Sequence, residues 1–151
     1  MIVSIHQPNY LPWIKFFHKI IFSDTYIVFD DVQLPRGKSF VLRNKIKTEN
    51  KSGWLTVPVK NKSSMLSINE IQLNNNINWK ESHWNKICQN YSKTKFFDTF
   101  QKDFGNVFLE NYEYLLAVIY ANKPTGTLEN TYFKMFIWEI PEKEINVDFD
   151  S

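Results

Sequence analysis

The segment that most restricts this chain is His6-Gln7-Pro8-Asn9-Tyr10-Leu11-Pro12-Trp13. Two prolines in five residues cannot belong to a helix or a central strand, so these residues must form a loop. Both flanks are strongly structured in pattern. Ile2-Val3-Ser4-Ile5 is short, apolar and rich in β-branched residues, which predicts a buried strand. Trp13, Phe16, Phe17, Ile20 and Ile21 fall at helical spacing, with Pro12 suited to the first turn. A second apolar run, Thr25 to Phe29, lacks polar alternation and predicts a strand covered on both faces.

Strand, loop, helix and strand in this order predict a parallel βαβ unit. Such a unit brings the C-terminal ends of its strands side by side, and ligands of open parallel sheets bind outside those ends. His6 leaves the first strand and Asp30-Asp31 leave the second.

The rest of the chain changes period. Phe40, Leu42 and Ile46 alternate with Val41, Arg43, Lys45 and Lys47, as expected of a half-buried strand with a basic outer face. After a turn over 49–53, Trp54 to Val59 completes an antiparallel hairpin, and Pro58 places that strand at an edge or ends it. Ser67 to Leu73 offers a further strand. Asn78 with Glu81 predicts a helix start, and Trp79, His83, Ile87 and Tyr91 its buried stripe. Another helix is expected over 111–121. Thr131 to Ile140 is apolar and fits either state, and Glu142 to Ser151 is acidic and expected to fray. The fold class expected is α/β: an N-terminal βαβ unit, an antiparallel hairpin and C-terminal helices, in one domain.

Composition narrows the function. The net charge of +2 argues against a nucleic-acid partner, and no apolar stretch reaches a membrane span. One cysteine, Cys88, excludes an internal disulfide and fits a reducing compartment. There is no signal-peptide pattern, so a cytoplasmic location is expected. Metal-ligand spacings, Walker loops, GxGxxG and GxSxG are absent. No metal site is expected, and the sequence names no cofactor.

The candidate chemistry therefore lies in the loop. His6, Gln7, Asn9 and Tyr10 concentrate an imidazole, two amides and a phenol at a helix start, whose free N–H groups favour anions. The alternative is a stiff turn whose polar groups bond the backbone. Asp30 and Asp31 offer carboxylates for orienting the imidazole, for base chemistry or for sugar hydroxyls, although Asp also ends strands routinely. Arg43 offers a planar fork for phosphate, with Asn44 beside it, or belongs to a solvated charged face. His83, His18 and Cys88 read as structural.

The eight-residue loop, together with Asp30-Asp31-Val32-Gln33, Arg43 to Thr48, Trp54 to Val59 and the order Trp79, His83, Tyr91, resembles the WbqC-like proteins over about residues 1–120, which implies a WbqC-like α/β domain over 1–122. Residues 123–151 resemble nothing in that family. The resemblance implies a bacterial protein of surface-polysaccharide (O-antigen) synthesis acting on an activated sugar, a nucleotide or an acyl donor. It implies His6, Asp30 and Asp31 as catalytic residues. Gln7, Asn9, Tyr10, Trp13, Gln33, Arg43 and Asn44 are implied as substrate contacts. Two features depart from the family. Lys15 stands where a glycine usually follows the signature Trp, and the family's second half, with its Ser-Gly segment, is not found. Three functions follow as expectations: an acyl- or aminoacyl-transferase on a nucleotide-linked amino sugar, a nucleotidyltransferase-like enzyme, or a non-catalytic module binding a sugar nucleotide. A small-molecule substrate is expected in each, with a protein partner or a second copy able to complete the site.

Overall fold

The computed structural model describes residues 1–35, 37–49, 51–60 and 65–120, which lie within one compact unit, Met1–Ala121. The regions expected at Thr131 to Ile140 and Glu142 to Ser151, and the division at residue 122, lie outside the described residues.

The mixed α/β fold follows the expected order. Strand β1 (Val3–His6), helix α1 (Ile14–Ile21) and strand β2 (Thr25–Val28) form the βαβ unit. The strands pair in parallel with Val3 opposite Thr25 and His6 opposite Val28, and the Phe29 amide extends the ladder to the His6 carbonyl at 2.9 Å. Trp13 is the N-cap residue of α1, so Pro12 lies just before the first turn and not in it.

One expectation for this unit fails. The two strands are not covered on both faces. Ser4, His6, Tyr26 and Val28 are half-buried on one side, where Phe16 of α1 lies 5.2 Å from the His6 ring and 6.0 Å from Tyr26. On the other side Val3, Ile5, Ile27 and Phe29 remain 42–57% exposed. The reason is topological: the sheet has two strands, one helix crosses between them, and a single helix covers a single face.

Strands β3 (Arg43–Lys47) and β4 (Ser52–Thr56) form the hairpin, with Lys45 opposite Trp54. Ile46 and Leu55 point inward; Arg43, Lys45, Lys47 and Trp54 share the outer face. The strand begins at Arg43 instead of Phe40, because residues 40–42 turn to pass Val41 and Leu42 into the core. The expected strand at Ser67 to Leu73 is a 3₁₀ turn, Ile68–Glu70, flanked by single bridges from Ser67 to Gln33 and from Leu73 to Val59. Its Ser67 and Glu70 side chains form a reciprocal capping box, which favours the turn over an extended strand.

Helix α2 (Trp79–Tyr91) buries Trp79, His83 and Ile87 as its spacing predicts. The Asn78 side chain does not cap the helix backbone; its amide donates to Glu81. Helix α3 (Phe97–Leu109) is additional to the expected elements, and Phe100, Phe104 and Phe108 recur in it every four residues. Trp84 of α2 lies nearly parallel to Phe97 and Phe108, and Gly105 lets it approach the α3 backbone. The helix expected over 111–121 is shorter: α4 (Leu115–Tyr120) starts only after residues 113–115 have bonded to Ile71 and Leu73. One core joins these parts, from Leu55 and Val57 through Ile68, Ile71 and Leu73 to Leu115, and it includes Tyr10 of the proline loop.

Candidate functional site

The proline loop is built as part of the core. Pro8, Asn9 and Tyr10 are all buried, Tyr10 to 2% exposure. The Tyr10 hydroxyl lies 2.9 Å from Nδ1 of His83 on α2, and its backbone amide donates to the Phe40 carbonyl at 3.0 Å. Burial, with a smaller effect from the Lys86 charge, lowers the His83 pKa to about 4, while a hydrogen bond to the Thr56 backbone opposes the shift. His83 is therefore neutral. A neutral imidazole has one N–H and one lone pair; with the N–H donated to the Thr56 backbone, the lone pair on Nδ1 takes the Tyr10 proton.

Beyond Tyr10 the chain is strained. Leu11 has φ +47, in the left-handed region that bulky residues seldom enter. The Asn44 side-chain amide donates to the Leu11 carbonyl and holds that conformation. Among the described residues Leu11 is the one non-glycine with positive φ, and such outliers concentrate at functional sites.

His6 sits at the mouth of this loop, half-buried beneath Phe16 with the rings 85° apart. Its Nδ1 lies 2.7 Å from the Gln7 carbonyl. A carbonyl only accepts, so Nδ1 carries the proton and the neutral ring keeps its lone pair on Nε2. No hydrogen bond from a described residue engages Nε2. Neither Asp30 nor Asp31 forms an ion pair or hydrogen bond with the ring. Asp30 is partly buried and Asp31 exposed, both just past the β2 end that pairs with His6. On the same sheet face, also against Phe16, Tyr26 carries a buried hydroxyl with no hydrogen-bond partner among the described residues, and burial pushes its pKa to about 12.

The remaining expected residues scatter. Trp13 is 59% exposed, with the Lys15 ammonium 5.7 Å over its ring, so the side chain at position 15 is accommodated in solvent. Gln33 is exposed and bridges to Ser67. Arg43 lies on the outer hairpin face with its Cζ 4.1 Å from the Trp54 ring centroid. Asn44 faces inward and positions the loop. A shallow cleft of about 420 Å³ lies elsewhere, lined by Lys60, Leu66, Asn69, Glu70, Gln72 and Tyr114. Its Lys60, Gln72 and Glu70 side chains are already bonded within the protein. Among the described residues no cluster of three His, Cys, Asp or Glu is placed to hold a metal, and no helix is long and apolar enough to cross a membrane.

Three contributors have roles that residue type does not signal. Trp54 reads only as a strand residue, and the hairpin register brings the cations beside it. His83 reads as structural, and only the fold brings it to the loop. Leu11 gave no residue-type signal, since its strain exists only in the fold.

The model of the WbqC-like protein family matches residues 7–123. The chain belongs to this family. The match opens at Gln7, directly after His6, and takes in the strained turn at Leu11, Asp30-Asp31 and the hairpin. The chain is also 32% identical over 117 residues to the uncharacterized protein Rv1507c of Mycobacterium tuberculosis (strain ATCC 25618 / H37Rv). That alignment covers 78% of this chain and 50% of the relative, so the chain spans about half the length of the curated relative it matches. No solved structure matches.

Proposed function

We propose that this WbqC-like protein is an acyl- or aminoacyl-transferase of bacterial surface-polysaccharide (O-antigen) synthesis, acting on an amino sugar carried by a nucleotide. The observation that carries this reading is the fixed orientation of His6. The Gln7 carbonyl holds the proton on Nδ1 and leaves Nε2 basic. In the step proposed, the sugar amine attacks the acyl carbon, the N–C bond forms and the bond to the donor's leaving group breaks. The amine proton passes to Nε2 and then to the leaving group. The Gln7 carbonyl takes the orienting role expected of Asp30 or Asp31. Those carboxylates are then available to sugar hydroxyls, with Gln7, Asn9, Tyr10 and Trp13 shaping the loop and Gln33 close after Asp31 in the chain.

The test is product formation followed by mass spectrometry, with nucleotide-linked amino sugars and acyl or aminoacyl donors. His6→Ala should lower turnover at least a hundredfold while far-UV circular dichroism stays unchanged. Full activity in a folded His6→Ala protein sinks the proposal. The missing carboxylate beside His6 favours one second reading, a non-catalytic module that binds a sugar nucleotide and relies on a protein partner or second copy for chemistry. Ligand binding without transfer by the isolated protein selects that reading.

A further inference from the structure

The outer face of the β3–β4 hairpin is a separate feature that the loop chemistry does not use. Arg43, Lys45 and Lys47 occupy alternate positions of β3 and point the same way, roughly 7 Å apart along the strand. None of the three forms an ion pair among the described residues. A merely solvated basic face leaves its side chains loose, but this one is ordered by an aromatic. The Arg43 guanidinium lies 4.1 Å from the Trp54 ring centroid, and the Lys45 ammonium lies 5.1 Å from the same centroid. Phe40 flanks Trp54 at 6.1 Å and is 52% exposed. The Arg43 Nε is buried, which with the Trp54 contact limits how far the guanidinium can swing.

From these observations we infer that Arg43, Lys45 and Trp54, with Phe40 beside them and Lys47 at the end of the row, form a binding site for a nucleoside diphosphate. Two neighbouring cations on one rigid support match two linked phosphates better than a single anion. A guanidinium held beside an indole keeps its donors in a fixed fork for phosphate oxygens. The exposed Phe40 ring supplies a surface on which a base can stack. The patch is also fixed relative to the loop: Asn44, next to Arg43, donates to Leu11, and Tyr10 donates to Phe40. The inference takes its ligand class from the transferase reading and deepens it. The same diphosphate chemistry occurs in a sugar nucleotide and in an acyl-coenzyme A donor.

The test is calorimetry on the full chain at low salt with UDP, ADP, UMP, inorganic pyrophosphate and a short single-stranded oligonucleotide. A nucleoside diphosphate should bind about tenfold more tightly than UMP or pyrophosphate, and binding should weaken with salt. A preference for UDP points to a sugar nucleotide, and one for ADP to a coenzyme A donor. Lys45→Gln and Arg43→Gln should each weaken binding about tenfold or more, while Lys102→Gln on α3 leaves it unchanged. Lys45 is exposed, so its replacement reads out binding even if Arg43→Gln disturbs the hairpin. The inference is overturned by the absence of diphosphate binding, by native affinity in folded Lys45→Gln, or by an oligonucleotide that binds more tightly than every diphosphate. Diphosphate binding without any transfer removes the transferase reading and leaves this site standing. Transfer that is indifferent to Lys45→Gln removes this site alone.

Discussion

Acid should unfold this protein partly through one imidazole. His83 is 5% exposed and holds Tyr10 and Thr56 through its two ring nitrogens. Protonation would place a second N–H against the Tyr10 hydroxyl and a charge in the core. Its folded pKa is accordingly about 4, against 6.5 when unfolded. Because the folded pKa is depressed, this contribution is fully present above pH 6.5. Between 6.5 and 4 the unfolded chain binds one more proton, so stability falls by about 1.4 kcal/mol per pH unit. The loss by pH 4 amounts to about 3 kcal/mol, a large part of the stability of a small domain. Urea unfolding from about pH 7 to about pH 4 measures it, with His83→Gln as the reference. Glutamine keeps an acceptor for Tyr10 and does not titrate, while the carboxylates titrate alike in both proteins. The stability difference between native protein and variant should therefore change by about 3 kcal/mol across the range. Parallel curves would refute the assignment, as would an NMR titration in which all three imidazoles protonate above pH 5.5.

Two further substitutions test the scaffold. A methyl group on Gly105 would lie 3.0 Å from Cζ2 of Trp84, so Gly105→Ala should lower stability by about 1–3 kcal/mol in urea despite its better helix propensity; a stabilised variant contradicts the α2–α3 packing. Asn44→Ala frees the strained Leu11 carbonyl and should cost about 1 kcal/mol, with faster amide exchange confined to residues 9–13; uniform exchange across the hairpin would show that Asn44 does not hold the loop.

The elements most legible in the sequence are those whose local pattern and tertiary role agree. β1, β2, the hairpin and the α2 stripe needed only periodicity and proline placement. Burial of the first two strands did not follow from their sequence. A continuous apolar run describes what a strand can bury, and Ile5 and Ile27 show that a neighbour must exist to bury it. The stretch after Ser67 failed for the opposite reason. Its β-branched residues suit a strand, but the Ser67–Glu70 capping box closes a turn first, and the flanking residues make single bridges. For the site, residue type identified the loop, but roles came from geometry. The family resemblance implies Asn44 as a substrate contact. Pleat alternation turns it inward, and there it bonds a backbone carbonyl instead.

This division of labour bears on what the loop does. Tyr10, Asn9 and Pro8 are committed to the core, and Asn44 and His83 are committed to holding the loop. A turn that only connected β1 to α1 would have no need of a strained leucine, a buried tyrosine–histidine pair and a tether from another sheet. The strain at Leu11 costs stability, and the bonds from Asn44 and His83 offset it. What they fix is the position of His6 and the start of α1. The imidazole's own hydrogen bond, to Gln7, is made within the same loop, so loop geometry and proton placement are one property. Loosening Leu11 through Asn44→Ala should therefore lower any His6-dependent activity even though Asn44 never meets the substrate. The same substitution should leave diphosphate affinity at Lys45 less affected than transfer. Equal losses in both would mean that Asn44 supports the hairpin and not the loop.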